Sequence, residues 1–239
     1  MSSRVSAWAV VVAAGEGRRF GPHRPKQFSL VAGHPLALWA LAPFMTHTGF
    51  AGASLVVPED TLGDPPEWLR SLQRGELRVV SGGATRTDSV RLGLESVPAS
   101  IGWVAVHDGA RPLLDHGMID RVMSEAAADR GAIAARPVTD SLKRADAERR
   151  VVVSVARTDL WRAETPQIFP RRRLLDFHRR AAEEGIVESD CSGLAERYGF
   201  PVTLVPVAAP NPKVTTVEDL ELVEAWIARR GLELKLPGG

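Results

Sequence analysis

Cysteine is almost absent: Cys191 is the single one in 239 residues. No internal disulfide can form, so a stapled secreted scaffold is excluded and a cytoplasmic setting is expected. Lysine is scarce too. Of the 30 basic residues only Lys26, Lys143, Lys213 and Lys235 are lysines, and the rest are arginines. There is no excess of one charge, since 29 acidic residues leave a net charge of +1. That removes the polycationic footprint of a nucleic-acid binder and any acidic tail. The six histidines make no HExxH or HxH pattern, which argues against a zinc site. No apolar run approaches the roughly 20 residues that span a bilayer, so no membrane partner is expected. Residues 7–14 are apolar enough for a signal-peptide core. They run straight into Gly15-Glu16-Gly17-Arg18-Arg19, however, with no polar mature segment between.

What is present is a hydrophobic fraction of 44%, ample for a core, arranged as apolar runs alternating with amphipathic segments. Strands are expected at 8–13, 53–57, 77–81, 103–107, 131–138 and 201–207. Helices are expected at 36–46, 66–73, 86–97, 118–129, 171–184 and 217–230. Continuous apolar strands separated by helices predict an α/β fold, a mostly parallel sheet with helices on both faces. No linker or repeat divides residues 1–239, so one domain is expected. Ligands on such sheets bind outside the carboxyl ends of the strands, and the loops there come first. One region breaks the rhythm. Residues 137–163 contain two extended runs around a charged turn at 146–150, the pattern of an inserted β-hairpin arm. A lone hairpin is marginal in water. It would pack on a second subunit or lie as an ordinary edge of its own sheet.

The first such loop is "VVVAAGEGRRFGPHRPKQF", residues 10–28. A dinucleotide fingerprint needs a third glycine, but Phe20 stands there and Gly21 comes one place late; the ribose acid is missing as well. A Walker loop is absent, because no Gly-Lys-Ser/Thr follows. What remains is a glycine turn with Arg18, Arg19 and Lys26 within reach. It is either a grip for a triphosphate or a solvated basic loop. In an arginine-biased chain, a lysine suggests that a compact point charge is wanted.

Further motifs lie on later loops. In "SGGATRTDSV", residues 81–90, Gly82 and Gly83 permit close backbone approach, and Ser89 offers a hydroxyl to a base edge. Thr85 or Thr87 can instead cap the next helix. "VAVHDGARP", residues 104–112, ends a buried strand on Asp108, a natural Mg²⁺ ligand or else the partner of Arg111. His107 reads as a packed histidine. "RAETPQIF", residues 162–169, and "ESDCSGLAERYG", residues 188–199, read as polar loops entering helices, with Ser189 or Asp190 as cap or ligand. In "NPKVTTVEDLELVEA", residues 211–225, Thr216 and Asp219 make a capping box, and Lys213 just precedes it.

These motifs, in this order and across nearly the whole chain, resemble those of the 2-C-methyl-D-erythritol 4-phosphate cytidylyltransferases. The resemblance implies a Rossmann-like nucleotidyltransferase domain with an arm that clasps a second protomer in a homodimer. It implies that CTP and a sugar-alcohol phosphate react with Mg²⁺ to give the CDP-linked product and pyrophosphate. By position, Arg19, Lys26 and Lys213 would be the catalytic cations. Ala13, Ala14, Gly15, Gly17, Gly82, Gly83, Ser89 and Asp108 would bind the nucleotide, and Asp108 the metal. Arg111, Ser141, Arg157, Thr165 and Ser189 would bind the sugar phosphate, with Arg157 reaching across from the partner's arm. Gly109 replaces a usual alanine, Ser141 a usual threonine, and Pro210 a frequent acid, which puts a second metal carboxylate in doubt. The run at 189–193 also departs from the family pattern. A ribitol 5-phosphate cytidylyltransferase would share the nucleotide motifs. A non-catalytic nucleotide-binding module would not need Lys26, Asp108 and Lys213 to converge. An NAD-dependent oxidoreductase lacks its glycine and acid here.

Overall fold

A computed structural model describes residues 6–15, 26–72 and 76–236. Chain order runs β1 (Ala7–Val12), β2 (Leu30–Val31), β3 (His34–Pro35), α1 (Leu36–Thr46), β4 (Phe50–Val57), α2 (Glu59–Gly63) and α3 (Glu67–Leu72). It continues with β5 (Leu77–Ser81), α4 (Arg86–Glu95), β6 (Trp103–Asp108), α5 (His116–Glu125), β7 (Gly131–Pro137), β8 (Leu142–Ala145) and β9 (Val151–Val155). The last elements are β10 (Trp161–Pro170), α6 (Arg171–Glu184), α7 (Cys191–Arg197), β11 (Val202–Pro206) and α8 (Val217–Arg230).

Seven strands form one sheet in the order β11-β7-β10-β6-β1-β4-β5. The β1–β4, β1–β6, β4–β5 and β7–β11 pairs are parallel, and only β10 runs antiparallel to its neighbours. The period-2 alternation of a strand sorts β1 onto two cores. Ala9 and Val11 pack with Leu41 and Phe44 of α1, Leu69 of α3 and Ile119 of α5. Trp8 and Val10 pack with Leu94 of α4, Leu174 and Phe177 of α6 and Leu194 of α7. Helices therefore cover both faces, as the apolar runs predict. A third cluster joins Val223 and Ile227 of α8 to Leu36, Trp39, Leu113 and Val214, which seats the loop before α8 beside the sheet's carboxyl edge. No helix among the described residues is long and apolar enough to cross a membrane.

Two expectations need correction. Residues 162–169, read as a polar loop, lie in the ten-residue strand β10 between β6 and β7. Its polar residues hid it: Thr165 and Gln167 are buried and hydrogen-bonded within the protein, and Glu164 is buried with its carboxylate 3.8 Å from Arg111 Nη1. The fifth helix also starts earlier, because the Asp115 carboxylate caps it by accepting the Met118 N–H. The hairpin is present. β8 and β9 pair antiparallel in a two-stranded sheet of their own, separate from the main one. It exposes Val151, Val152 and Val153 in a row.

Candidate active site

Four parallel strands, β6, β1, β4 and β5, end side by side, and their ends are locked together. The Ala13 N–H donates to Val56 O (2.7 Å), Gly82 N–H to Val57 O (2.8 Å) and Gly109 N–H to Val12 O (2.8 Å). Gly82 has to be small there: a Cβ would run into Ala14 and the Ser89 hydroxyl. Above these ends opens a cavity of about 480 Å³. Its lining combines the small residues Ala14, Gly15, Gly83 and Ser89 with Lys26, Gln27, Arg86, Asp108 and Lys213.

The glycine turn is held from inside. The Ser89 hydroxyl accepts the Gly83 N–H at 3.1 Å and donates to Thr85 O at 2.9 Å. Thr85 and Asp88 complete a capping box that starts α4. So the capping expectation for Thr85 holds, and Ser89 orders the wall it stands in. Thr87 instead bridges to Glu188, donating to its carbonyl and accepting its N–H.

Asp108, at the end of β6, is the electrostatic centre. Arg86 grips its Oδ1 with two nitrogens at 3.0 and 3.3 Å. Lys213 meets Oδ2 at 2.9 Å, and Arg111 lies 3.5 Å from the same oxygen. Burial alone would push the Asp108 carboxyl up, but Arg86, Lys213 and Arg111 overcome this and hold it well below the usual carboxylate range. Burial likewise disfavours the Arg86 cation, and Asp108 more than offsets it, so that guanidinium stays charged. Glu164, buried 3.8 Å from Arg111 Nη1, is a second carboxylate of the cluster, so three cations meet two carboxylates and one positive charge is left over, suited to phosphate oxygens.

Behind Asp108 runs a relay of neutral groups. The Thr165 hydroxyl accepts the Asp108 N–H at 3.1 Å and lies 2.8 Å from His107 Nδ1. His107 Nε2 lies 3.0 Å from the Arg111 carbonyl, which can only accept, so Nε2 carries the proton and Thr165 donates to Nδ1. Burial pulls the His107 pKa down to about 4, keeping it neutral. The expected packed histidine is thus also a spacer that fixes Asp108 and Arg111.

The loop before α8 is tied to this floor. Asn211, fully buried, accepts the Leu113 N–H at 2.8 Å through its side chain and takes Arg111 Nη1 on its carbonyl at 2.9 Å. The Val214 N–H bonds to Ala110 O, and Val214 O accepts Lys26 Nζ at 2.9 Å. Lys26, Asp108 and Lys213 therefore converge on one cavity from three distant parts of the chain.

Of the expected site residues, Ala13, Ala14, Gly15, Lys26, Gly83, Ser89, Asp108 and Lys213 line the cavity. Gly82 underlies it, and Arg111 and Thr165 brace Asp108. Ser189 is exposed on the loop before α7; Asp190, not Ser189, caps that helix by accepting the Gly193 N–H. Ser141 and Arg157 lie at the base of the arm, exposed and away from this cavity's walls, with Arg157 donating to Thr139 O. Arg19 and Gly17 lie outside the described residues. Sequence reasoning missed Arg86 and Gln27. Both stand in motifs it used, but one arginine among many, and a glutamine after a lysine, carry no signal of their own.

A mostly parallel sheet whose strand ends hold a glycine-walled, cation-lined cavity defines an α/β domain of the nucleotidyltransferase class. The family is narrower. The sequence pattern of IspD, 2-C-methyl-D-erythritol 4-phosphate cytidylyltransferase, matches residues 7–229, and the chain belongs to that family. It is 39% identical to the 2-C-methyl-D-erythritol 4-phosphate cytidylyltransferase of Xylella fastidiosa, over 95% of this chain and 99% of that one. It is 43% identical to the bifunctional enzyme IspD/IspF of Rhodospirillum rubrum, over 93% of this chain but 57% of that protein, so it spans little more than half of that relative. Among solved structures it resembles the 2-C-methyl-D-erythritol 4-phosphate cytidylyltransferase of Thermus thermophilus at 32% identity. The TM-score is 0.76, with 92% of this chain and 98% of the other covered.

Proposed function

We propose that this chain transfers CMP from CTP to 2-C-methyl-D-erythritol 4-phosphate and releases pyrophosphate, a step in isoprenoid precursor synthesis. The observation that carries this reading is the convergence of Lys26, Arg86, Lys213 and Asp108 on one cavity lined also by Gly15 and Gly83, with Arg86 and Lys213 paired to Asp108. A module that merely held a nucleotide would not need cations on both sides of the reacting phosphate. Family membership supports the choice of substrates.

The reaction asks for positioning and charge neutralisation more than for a protein nucleophile. The sugar's phosphate oxygen, ionised at neutral pH, attacks the α-phosphorus in line, and pyrophosphate leaves. Lys26 would draw the triphosphate down, a role the family resemblance also implies for Arg19. Lys213 would turn from Asp108 to the α-phosphate, and Ala14, Gly82, Gly83 and Ser89 would frame the cytosine. Arg111 and Thr165 would hold Asp108 in place beside the sugar phosphate.

The donor set also suits Mg²⁺. Among the described residues no three His, Cys, Asp or Glu side chains cluster as an all-protein cage, and Asp108 is the carboxylate that lines the cavity. Mg²⁺ is commonly held by one or two carboxylates together with substrate phosphates. Asp108 would hold it here, and the ion would neutralise charge on the triphosphate.

A homodimer completes the reading. The hairpin exposes Val151, Val152 and Val153, and a two-stranded ribbon is marginal alone, which supports packing against a second copy. Ser141 and Arg157 would then serve the partner's sugar-phosphate site, with Ser189 nearby on the receiving side. A cytoplasmic setting goes with the single buried cysteine. The test is pyrophosphate release with each of four nucleoside triphosphates and with methylerythritol phosphate or ribitol phosphate. Release is expected with CTP and methylerythritol phosphate; comparable specificity constants for CTP and ATP, or a preference for ribitol phosphate, would refute the assignment.

A further inference from the structure

Buried polar atoms without partners are rare, and each invites an explanation. Among the described residues the unpartnered atoms include Asn211 Nδ2, His178 Nε2, Arg171 Nε and Gln27 Nε2. Of the side chains carrying such atoms, Gln27 alone lines the cavity. It sits in the short 3-10 turn Lys26–Phe28, is 2% exposed, and walls the same space as its neighbour Lys26.

The other buried glutamine sharpens the contrast. Gln167 donates to Glu164 O and to Asp190 Oδ2 and accepts the Cys191 N–H, so its amide is fully used in holding the fold. The Gln27 amide is not. Its position assigns it to the phosphate end of the cavity. Lys26 Nζ reaches Val214 O, one residue from Lys213, so Gln27 adjoins the two lysines that line this cavity.

Resting on the function proposed above, we infer that Gln27 is a further substrate-binding residue whose side-chain amide donates a hydrogen bond to a phosphate oxygen of the bound triphosphate. The unligated protein carries that donor unsatisfied, and the ligand satisfies it. This makes a two-sided signature. Removing the amide relieves an unpaired buried group in the free protein and removes a charge-assisted bond from the complex.

The experiment compares wild type, Q27M and Q27E. Thermal melting of the unligated proteins is measured, along with calorimetric Kd values for inorganic pyrophosphate and CTP. Q27M, close in shape but without the donor, should melt at or above wild type and bind both probes about tenfold more weakly. Q27E should bind them more weakly still, because its carboxylate meets the phosphate. Q27M affinities within twofold of wild type overturn the inference. So does melting of Q27M well below wild type, since the amide would then be holding the fold. Wild-type protein that binds neither probe overturns the functional reading and this inference together, whereas wild-type binding with an unaffected Q27M overturns the inference alone.

Discussion

Replacing Asp108 by Asn tests the charge arrangement most directly. The side chain keeps its shape but loses its charge, and Arg86, Arg111 and Lys213 lose their common counter-ion. Breaking a buried ion pair from one side typically costs about 3–5 kcal/mol. The side chains of Arg86 and Arg111 are 21% and 12% exposed, but that of Lys213 is 40% exposed and water screens it. The lower end, about 3 kcal/mol, is therefore expected. For a chain of this size that is a fall in Tm of roughly 6–12 °C. The same loss leaves the cations unmatched, so pyrophosphate should protect D108N more than wild type when EDTA excludes metals. At a hundred times its Kd, a ligand contributes about 2.7 kcal/mol, enough to restore most of the deficit. The assay is thermal melting with and without pyrophosphate. A D108N protein that melts within about 2 °C of wild type, or that gains no more from pyrophosphate, would show that the carboxylate does not balance the cluster. The sign in pH agrees. The folded carboxyl is depressed, so its contribution is fully present at neutral pH and is lost only as the solution falls through and below the ordinary aspartate value near 3.8.

Lys26→Ala should fold normally and lose turnover by about 10²–10³, the usual cost of one donor aimed at developing charge; near-normal steady-state rates in the purified protein would remove Lys26 from the mechanism. His107 and His178 are both held near 4 by burial, against an ordinary 6.5, so the unfolded chain binds protons that the folded one refuses. Stability is then complete above pH 6.5 and falls towards pH 4 by up to about 2.7 kcal/mol per pH unit for the pair. Urea titrations at pH 7, 6 and 5 should find that slope about halved in H178Q, and an unchanged slope would contradict the burial argument. Lys26→Ala and Arg157→Ala should each be nearly inactive alone. Mixed and allowed to exchange subunits, they should recover about a quarter of wild-type activity, because half the dimers are mixed and each mixed dimer holds one intact site. No recovery, with exchange confirmed by mass, would place Arg157 outside its partner's site.

Periodicity made the layers readable, and the limits of α1, α6 and α8 coincide with their expected ranges, the last two helped by a glycine stop at the carboxyl end. Gly185 and Gly231, for instance, end α6 and α8 in the left-handed conformation. β10 was unreadable for the opposite reason. A strand that buries polar side chains among partners brought in from elsewhere in the chain, as Gln167 meets Asp190 and Cys191, looks like a loop until those partners are known. Site residues divide in the same way. Lys26 and Lys213 stood out because lysine is scarce, and Asp108 because it ends a buried strand. Arg86 is one arginine among many, and only folding shows that its fork closes on Asp108. Gln27 is exceptional through what it fails to bond, a property with no sequence pattern at all.

Arg86 and Lys213 both pair with Asp108, but the fold gives them different freedom. Arg86 begins a capped helix, and its planar fork makes two bonds to one oxygen. Lys213 stands in a loop, makes a single bond as a point charge, and is the more exposed of the two. A triphosphate entering the cavity would compete for both cations. The pair with one bond and more water yields first, while the guanidinium keeps the carboxylate oriented. On the proposed reading, then, Lys213 moves to the substrate, and Asp108 remains in place because Arg86 and the Thr165–His107 relay hold it from behind. An arginine at 213 could hold Oδ2 of Asp108, which Arg111 approaches at 3.5 Å, in a fork of its own and bind too firmly to let go. That accounts physically for a lysine at this point in a chain that otherwise prefers arginine.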